Sequence, residues 1–143
     1  MNRTATQVIT RALRVCKAIG ADQSPASFAL SEGFLALQSM LDTWAADPQL
    51  QESPTYVLPT FADLVSTVSI PDGLTEAIEC GLAIKLASEH GTAVDQWVQV
   101  GARRGLAAWR TKVAALQVPN LEGDVSYAVS TTGGGYNILT DQS

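Results

Sequence analysis

Apolar residues recur through much of the chain at steps of three and four, the period of a helix that buries one face. Val8, Ile9, Ala12, Leu13, Cys16 and Ile19 share a broad face, predicting a first helix over residues 5–19 behind a Thr4 cap and ahead of Gly20. Leu30, Phe34, Leu37, Leu41 and Trp44 make a second stripe. Ser24 suits the cap and Pro25 the first helical position, so that helix is expected over 25–46, before Asp47-Pro48. A third, over 72–89, carries Leu74, Ala77, Ile78, Cys80, Gly81, Leu82, Ile84 and Leu86 around most of its circumference, as a central element would. His90-Gly91 closes it, with the imidazole placed to favour the helix C-terminus. Thr92, with Asp95 three residues on, opens a fourth over 93–116, whose stripe is Val98, Ala102, Leu106, Trp109, Val113 and Leu116. Gly101 and Gly105 lie inside it, each costing about 1 kcal/mol relative to alanine. A close helix contact or a subunit interface would offset that cost; simple tolerance is the alternative.

Two segments break the rhythm. Residues 48–71 hold Pro48, Pro54, Pro59 and Pro71, with strand-like Tyr56-Val57-Leu58 and Val65-Ser66-Thr67-Val68-Ser69-Ile70. They read as a short two-stranded excursion or an ordered loop between the second and third helices. From residue 117 the pattern dissolves into Pro119, Gly123 and Ser130-Thr131-Thr132-Gly133-Gly134-Gly135. Tyr127, Val129, Tyr136, Ile138 and Leu139 still punctuate that stretch, so it is either an arm docking elsewhere or a tail folded back. The expected fold class is all-α: a four-helix bundle-like domain over 1–116 and an extended C-terminal arm over 117–143.

With 143 residues, 46% of them hydrophobic and 16% charged, the chain can build one core without metals or disulfides. No apolar run reaches the roughly 18 residues of a membrane span. The basic, polar start does not read as a signal peptide. Cys16 and Cys80 sit in apolar helical patterns, as small buried hydrophobes of a reducing compartment. The net charge of −5 is sharply divided. Arg3, Arg11, Arg14 and Lys17 precede nine acids in residues 21–80, where no lysine or arginine occurs; Lys85, Arg103, Arg104, Arg110 and Lys112 follow. Such division bears on surfaces and partners rather than on fold.

Catalytic signals are sparse. One histidine and two distant cysteines make no zinc spacing and no nucleophile–base signature. The acids carry no spacing that marks a glycosidase pair. The triple glycine lacks the Lys-Ser/Thr of a phosphate loop and reads as a hinge. No enzymatic activity, cofactor or metal is expected. Arg3, Arg11, Arg14 and Lys17, with Arg14 three residues from both Arg11 and Lys17, make one positive ridge beside the apolar face of the first helix. The acidic middle would repel DNA phosphate from an isolated reader of sequence.

The order of the motifs resembles that of tailed-bacteriophage head-to-tail adaptor proteins, also called tail accessory factors or packaged-DNA stabilisation proteins. Ile70-Pro71-Asp72-Gly73-Leu74-Thr75-Glu76-Ala77-Ile78 and Leu82-Ala83-Ile84-Lys85-Leu86-Ala87-Ser88-Glu89-His90-Gly91 look like the middle of such proteins. The basic start ending Ala18-Ile19-Gly20-Ala21, the helix ending Met40-Leu41-Asp42-Thr43-Trp44 and the ending Gly133-Gly134-Gly135-Tyr136-Asn137-Ile138-Leu139-Thr140 are similar too. The resemblance implies a homo-oligomeric ring, a dodecamer, beneath the portal at the head–tail interface of the virion, assembled in the host bacterial cytoplasm. Its partners would be the portal protein, a downstream tail or tail-completion protein and passing double-stranded DNA, with no membrane. Tyr127, Val129, Tyr136, Asn137, Ile138 and Leu139 would belong to a portal-binding arm. Arg11, Arg14, Lys17, Arg103 and Arg104 would be subunit-interface candidates, meeting acids of a neighbour. Acids facing a channel would let DNA through without sticking. The alternative function is a small terminase-like or regulatory helical DNA-binding protein using the same cations.

Overall fold

A computed structural model of the chain describes residues 1–47, 50 and 57–117. Among them the element order is β1 (Asn2–Thr4), α1 (Ala5–Val15), α2 (Ser27–Ala45), β2 (Thr67–Ser69), α3 (Thr75–His90) and α4 (Gln96–Gln117). The fold is all-α and bundle-like, with one two-stranded antiparallel sheet. Met1–Val113 form one compact unit; of the second, Ala114–Ser143, only the last residues of α4 are described.

The capping box at the start of α1 follows from Thr4 and Gln7 three residues apart. The Gln7 N–H donates to Thr4 Oγ1 at 3.2 Å, and the Thr4 N–H donates to Gln7 Oε1 at 3.0 Å. The helix ends at Val15, a turn before the expected stop at Gly20. Lys17 takes the left-handed conformation, at φ 64°. The Ala18 N–H then reaches the Leu13 carbonyl at 2.9 Å and the Lys17 N–H that of Arg14 at 3.1 Å, a Schellman turn with lysine where glycine is usual. A left-handed residue with a Cβ is strained by about 1 kcal/mol. Lys17→Gly is therefore expected to raise stability by roughly 0.5–1 kcal/mol in urea unfolding. Lys17→Ala, which keeps the strain, should show no such gain.

The second helix is also shorter than expected. Ser24 and Pro25 stay outside it, and Ala26 precedes it with no side-chain cap. Its buried face is Gly33, Ala36, Leu37, Met40, Leu41 and Trp44, whereas Leu30 and Phe34 are half-buried at the margin. Gly33 explains the rotation: a Cβ there would collide with the Ile9 side chain, so α1 approaches α2 along that glycine.

Within the segment 65–70, Thr67–Ser69 form a strand, but not with 56–58. Tyr56 lies outside the described residues, and Val57 and Leu58 have no regular structure. The partner of β2 is β1, in the register Asn2↔Ser69, Arg3↔Val68, Thr4↔Thr67. The Ile70 N–H to the Met1 carbonyl (2.8 Å) and the Thr6 hydroxyl to the Leu64 carbonyl (2.8 Å) continue the seam. Ahead of it Asp63 accepts from the N–H groups of Ser66 (2.6 Å) and Val65 (2.9 Å) and from the Ser66 hydroxyl. These bonds, the Ser66 N–H first, hold its carboxyl below the usual range.

α3 packs against α1 and α2, and it meets α4 where Gly101 and Gly105 face Cys80 and Ala77. That close approach is what the mid-helix glycines serve. Ile84, expected inside, is exposed. Gly91, at φ 68°, ends α3, and the Thr92 N–H donates to the Ala87 carbonyl at 2.9 Å. Thr92 does not cap α4, which begins at Gln96; its hydroxyl is buried without a hydrogen-bond partner. Val98, Ala102, Trp109 and Val113 are buried as the stripe requires, and Leu106 is half-buried against the core.

Candidate functional site

Along the outer side of α1 runs an open groove of about 390 Å³, lined by Asn2, Arg3, Thr6, Gln7, Thr10, Arg11 and Arg14. Two local devices make it. The helical steps 7–10–14 and 7–11–14 put Gln7, Thr10, Arg11 and Arg14 on one side. The β1–β2 pairing brings in Arg3 from the strand before the helix. Arg3 belongs to the expected basic ridge but not to the interface candidates, and it lies in a strand rather than in the helix. What gathers it in is the strand partner some 65 residues away, which helical spacing does not reveal.

Beneath the groove lies Glu79 of α3, its side chain only 13% exposed. Arg3 Nη1 donates to its Oε1 at 3.0 Å, and Arg11 Nε stands 3.7 Å from its Oε2. Burial pushes the Glu79 carboxyl above the usual carboxylate range; Arg3 and then Arg11 pull it back, and Glu76 adds to the rise. Net, the fold prefers the neutral acid. Glu79 therefore contributes stability that is fully present below its unfolded pKa and lost as pH rises through the folded value. Glu79→Gln is accordingly expected to compare more favourably with the native chain at pH 7 than at pH 4 in paired thermal melts. Arg3→Ala leaves the Glu79 carboxyl to Arg11 alone and should cost about 1–3 kcal/mol at neutral pH.

The other sequence candidates separate. Arg14 donates from Nη2 to the Gln23 carbonyl at 3.2 Å and stays with the groove. Lys17 lies past the helix end and leaves the ridge; its Nζ pairs with Asp95 Oδ1 at 3.1 Å. That contact, more than any other, holds the Asp95 carboxyl below the usual range. Arg103 and Arg104 are exposed on α4 and, among the described residues, form no ion pair. Arg110 pairs with Asp47 at 3.5 Å, and Lys112 donates to the Asp72 carbonyl at 3.2 Å. Tyr127, Val129, Tyr136, Asn137, Ile138 and Leu139 lie outside the described residues.

Chemically the groove offers guanidinium forks, which suit carboxylate or phosphate oxygens. His90 is exposed at the end of α3. Both cysteines are buried and free. Burial, then Glu76 and Glu79, pushes the Cys80 thiol up, away from the reactive thiolate. Among the described residues no three His, Cys, Asp or Glu side chains converge as a metal site, and no helix is long and apolar enough to cross a membrane. No protein-family model matches the chain, and the comparisons with curated proteins and with solved structures returned no match.

Proposed function

We propose that this chain is a structural virion protein: a head-to-tail adaptor that forms a ring beneath the phage portal. There it extends the DNA channel, helps retain the packaged genome and offers a platform to the next tail component. The observation that carries the reading is the division of charge between outer helical faces. α2 holds Glu32 and Asp42 and no cation; α4 holds Arg103, Arg104, Arg110 and Lys112 and no acid. Subunits with opposite charge on different sides meet in one register and repeat around an axis. The order of motifs along the chain, adaptor-like from the basic start to the Gly-Gly-Gly-Tyr-Asn-Ile ending, supports the same reading. Residues 117–143 would be the arm that orders on the portal. Co-sedimentation with the cognate portal tests that role. The full chain should pellet with portal rings, and a chain ending at residue 116 should stay helical but remain in the supernatant. Equal pelleting of both would sink the arm assignment.

A second reading, a small helical DNA-binding protein, is favoured by the groove of Arg3, Arg11 and Arg14. Glu79 already engages two of these guanidiniums, so a phosphate would have to displace it. Tight duplex binding at physiological salt with a steep salt slope would favour this reading, and no binding at low salt would end it.

A further inference from the structure

Two exposed surfaces stand out from the charged exterior because large apolar side chains sit in their midst. On α2, Phe28 (72% exposed) and Leu35 (61%) are two helical turns apart on the side away from the core, with Glu32 between them and Asp42 a further seven residues on. On α4, Trp97 (54%) and Val100 (37%) are exposed one turn apart, Val100 turned away from Val98 and Gly105, and the patch continues into Arg103 and Arg104. The Trp97 indole is held in place: its Nε1 donates to Asp95 Oδ2 at 3.3 Å, while the other Asp95 oxygen takes Lys17. A preset tryptophan beside two arginines that form no ion pair among the described residues is the composition of a binding hot spot. Exposed tryptophan and phenylalanine on helices that already bury their other faces are costly unless something covers them.

We propose that these two surfaces cover each other between copies of the chain, the α2 face of one subunit seating on the α4 face of the next. Their charges are complementary: Glu32 and Asp42 with no cation on α2, Arg103 and Arg104 with no acid on α4. The two patches, each taken with its charges, run from Phe28 to Leu35 on α2 and from Trp97 to Arg104 on α4, seven helical steps or about 10 Å each. Because the faces differ, the contact is head-to-tail, and each subunit keeps one free α2 face and one free α4 face until a ring closes. The pairing deepens the adaptor reading by naming the junction between ring subunits, but its observations are the surfaces themselves.

The test uses the full chain without portal, in sedimentation equilibrium up to about 1 mM, where a weak protein contact near that Kd is measurable. The native chain should grow in mass with concentration. Leu35→Glu and Val100→Glu, both at exposed sites and checked for unchanged melting, should each weaken self-association roughly tenfold or more. A 1:1 mixture of the two variants retains one intact junction and should give a heterodimer that grows no further. Exchanging the charges, E32R/D42R together with R103E/R104E, should restore association lost in either pair alone. A native chain that stays monomeric throughout, or variants that associate as well as it does, would overturn the pairing. So would a mixture that stays monomeric. Self-association through these faces with no portal binding would instead refute the adaptor reading and leave the pairing standing.

Discussion

Trp109→Ala is expected to lower the unfolding free energy by about 3–5 kcal/mol, the largest single effect in the molecule. The indole is 1% exposed in the core on α4. Its Nε1 donates to the Leu50 carbonyl at 2.9 Å, tying α4 to the chain that follows α2 across 59 residues. Removing the ring leaves both a large void and a buried carbonyl without its donor. Domains of this size are held by only about 5–15 kcal/mol, so the variant should be partly unfolded at 37 °C. Trp109→Phe separates the two causes. It keeps most of the packing and loses the hydrogen bond, and should cost about 1–2 kcal/mol. Urea midpoints followed by circular dichroism measure both; a loss below 1 kcal/mol for the alanine variant would contradict the packing described.

Gly105→Ala should also destabilise, against helix propensity. In an open helix the change would gain about 1 kcal/mol. Here the new methyl would stand 2.6 Å from Ala77 Cβ and 3.0 Å from the Ala77 Cα and N, which are backbone of α3 and cannot rotate aside. The helices must part, at a cost of about 1–3 kcal/mol that exceeds the gain. Gly101→Ala makes the contrast. Its nearest neighbour is Glu76 Oε2 at 2.9 Å, the far end of a flexible side chain that can swing away, so it should lose less. Ala77→Gly in the Gly105→Ala background should recover part of the stability by removing the closest atom. Equal stability of Gly105→Ala and the native chain would mean that α3 and α4 do not touch there.

The helices were legible because their apolar periodicity is strong; their ends and rotations were not. Lysine is an unusual left-handed residue, so the stop at Val15 carries no local signal, whereas Gly20 offers the usual C-terminal glycine. Of the α2 stripe Leu30, Phe34, Leu37, Leu41 and Trp44, the last three are buried as the spacing predicts, and the first two lie at the margin. The actual face turns toward Gly33, where an absent side chain lets Ile9 in. β2 was readable from Val65 to Ile70, but its partner, Asn2-Arg3-Thr4, has no strand-like composition, and tertiary pairing alone selects it. The same limit governs the groove. Arg11 and Arg14 follow from helical spacing, whereas Arg3 and Glu79 come together only through the folded chain, 76 residues apart. In the fold the charge division is more specific: Lys17, Arg3, Arg11 and Arg110 are paired with acids of their own subunit, whereas Arg103 and Arg104 are exposed on α4 and, among the described residues, form no ion pair.

Electron microscopy of the full chain mixed with the cognate portal tests the central claim most directly. The adaptor reading predicts a second ring of density stacked coaxially beneath the portal, with the portal's own symmetry and an open channel through both. Portal rings unchanged at saturating amounts of the chain would contradict it.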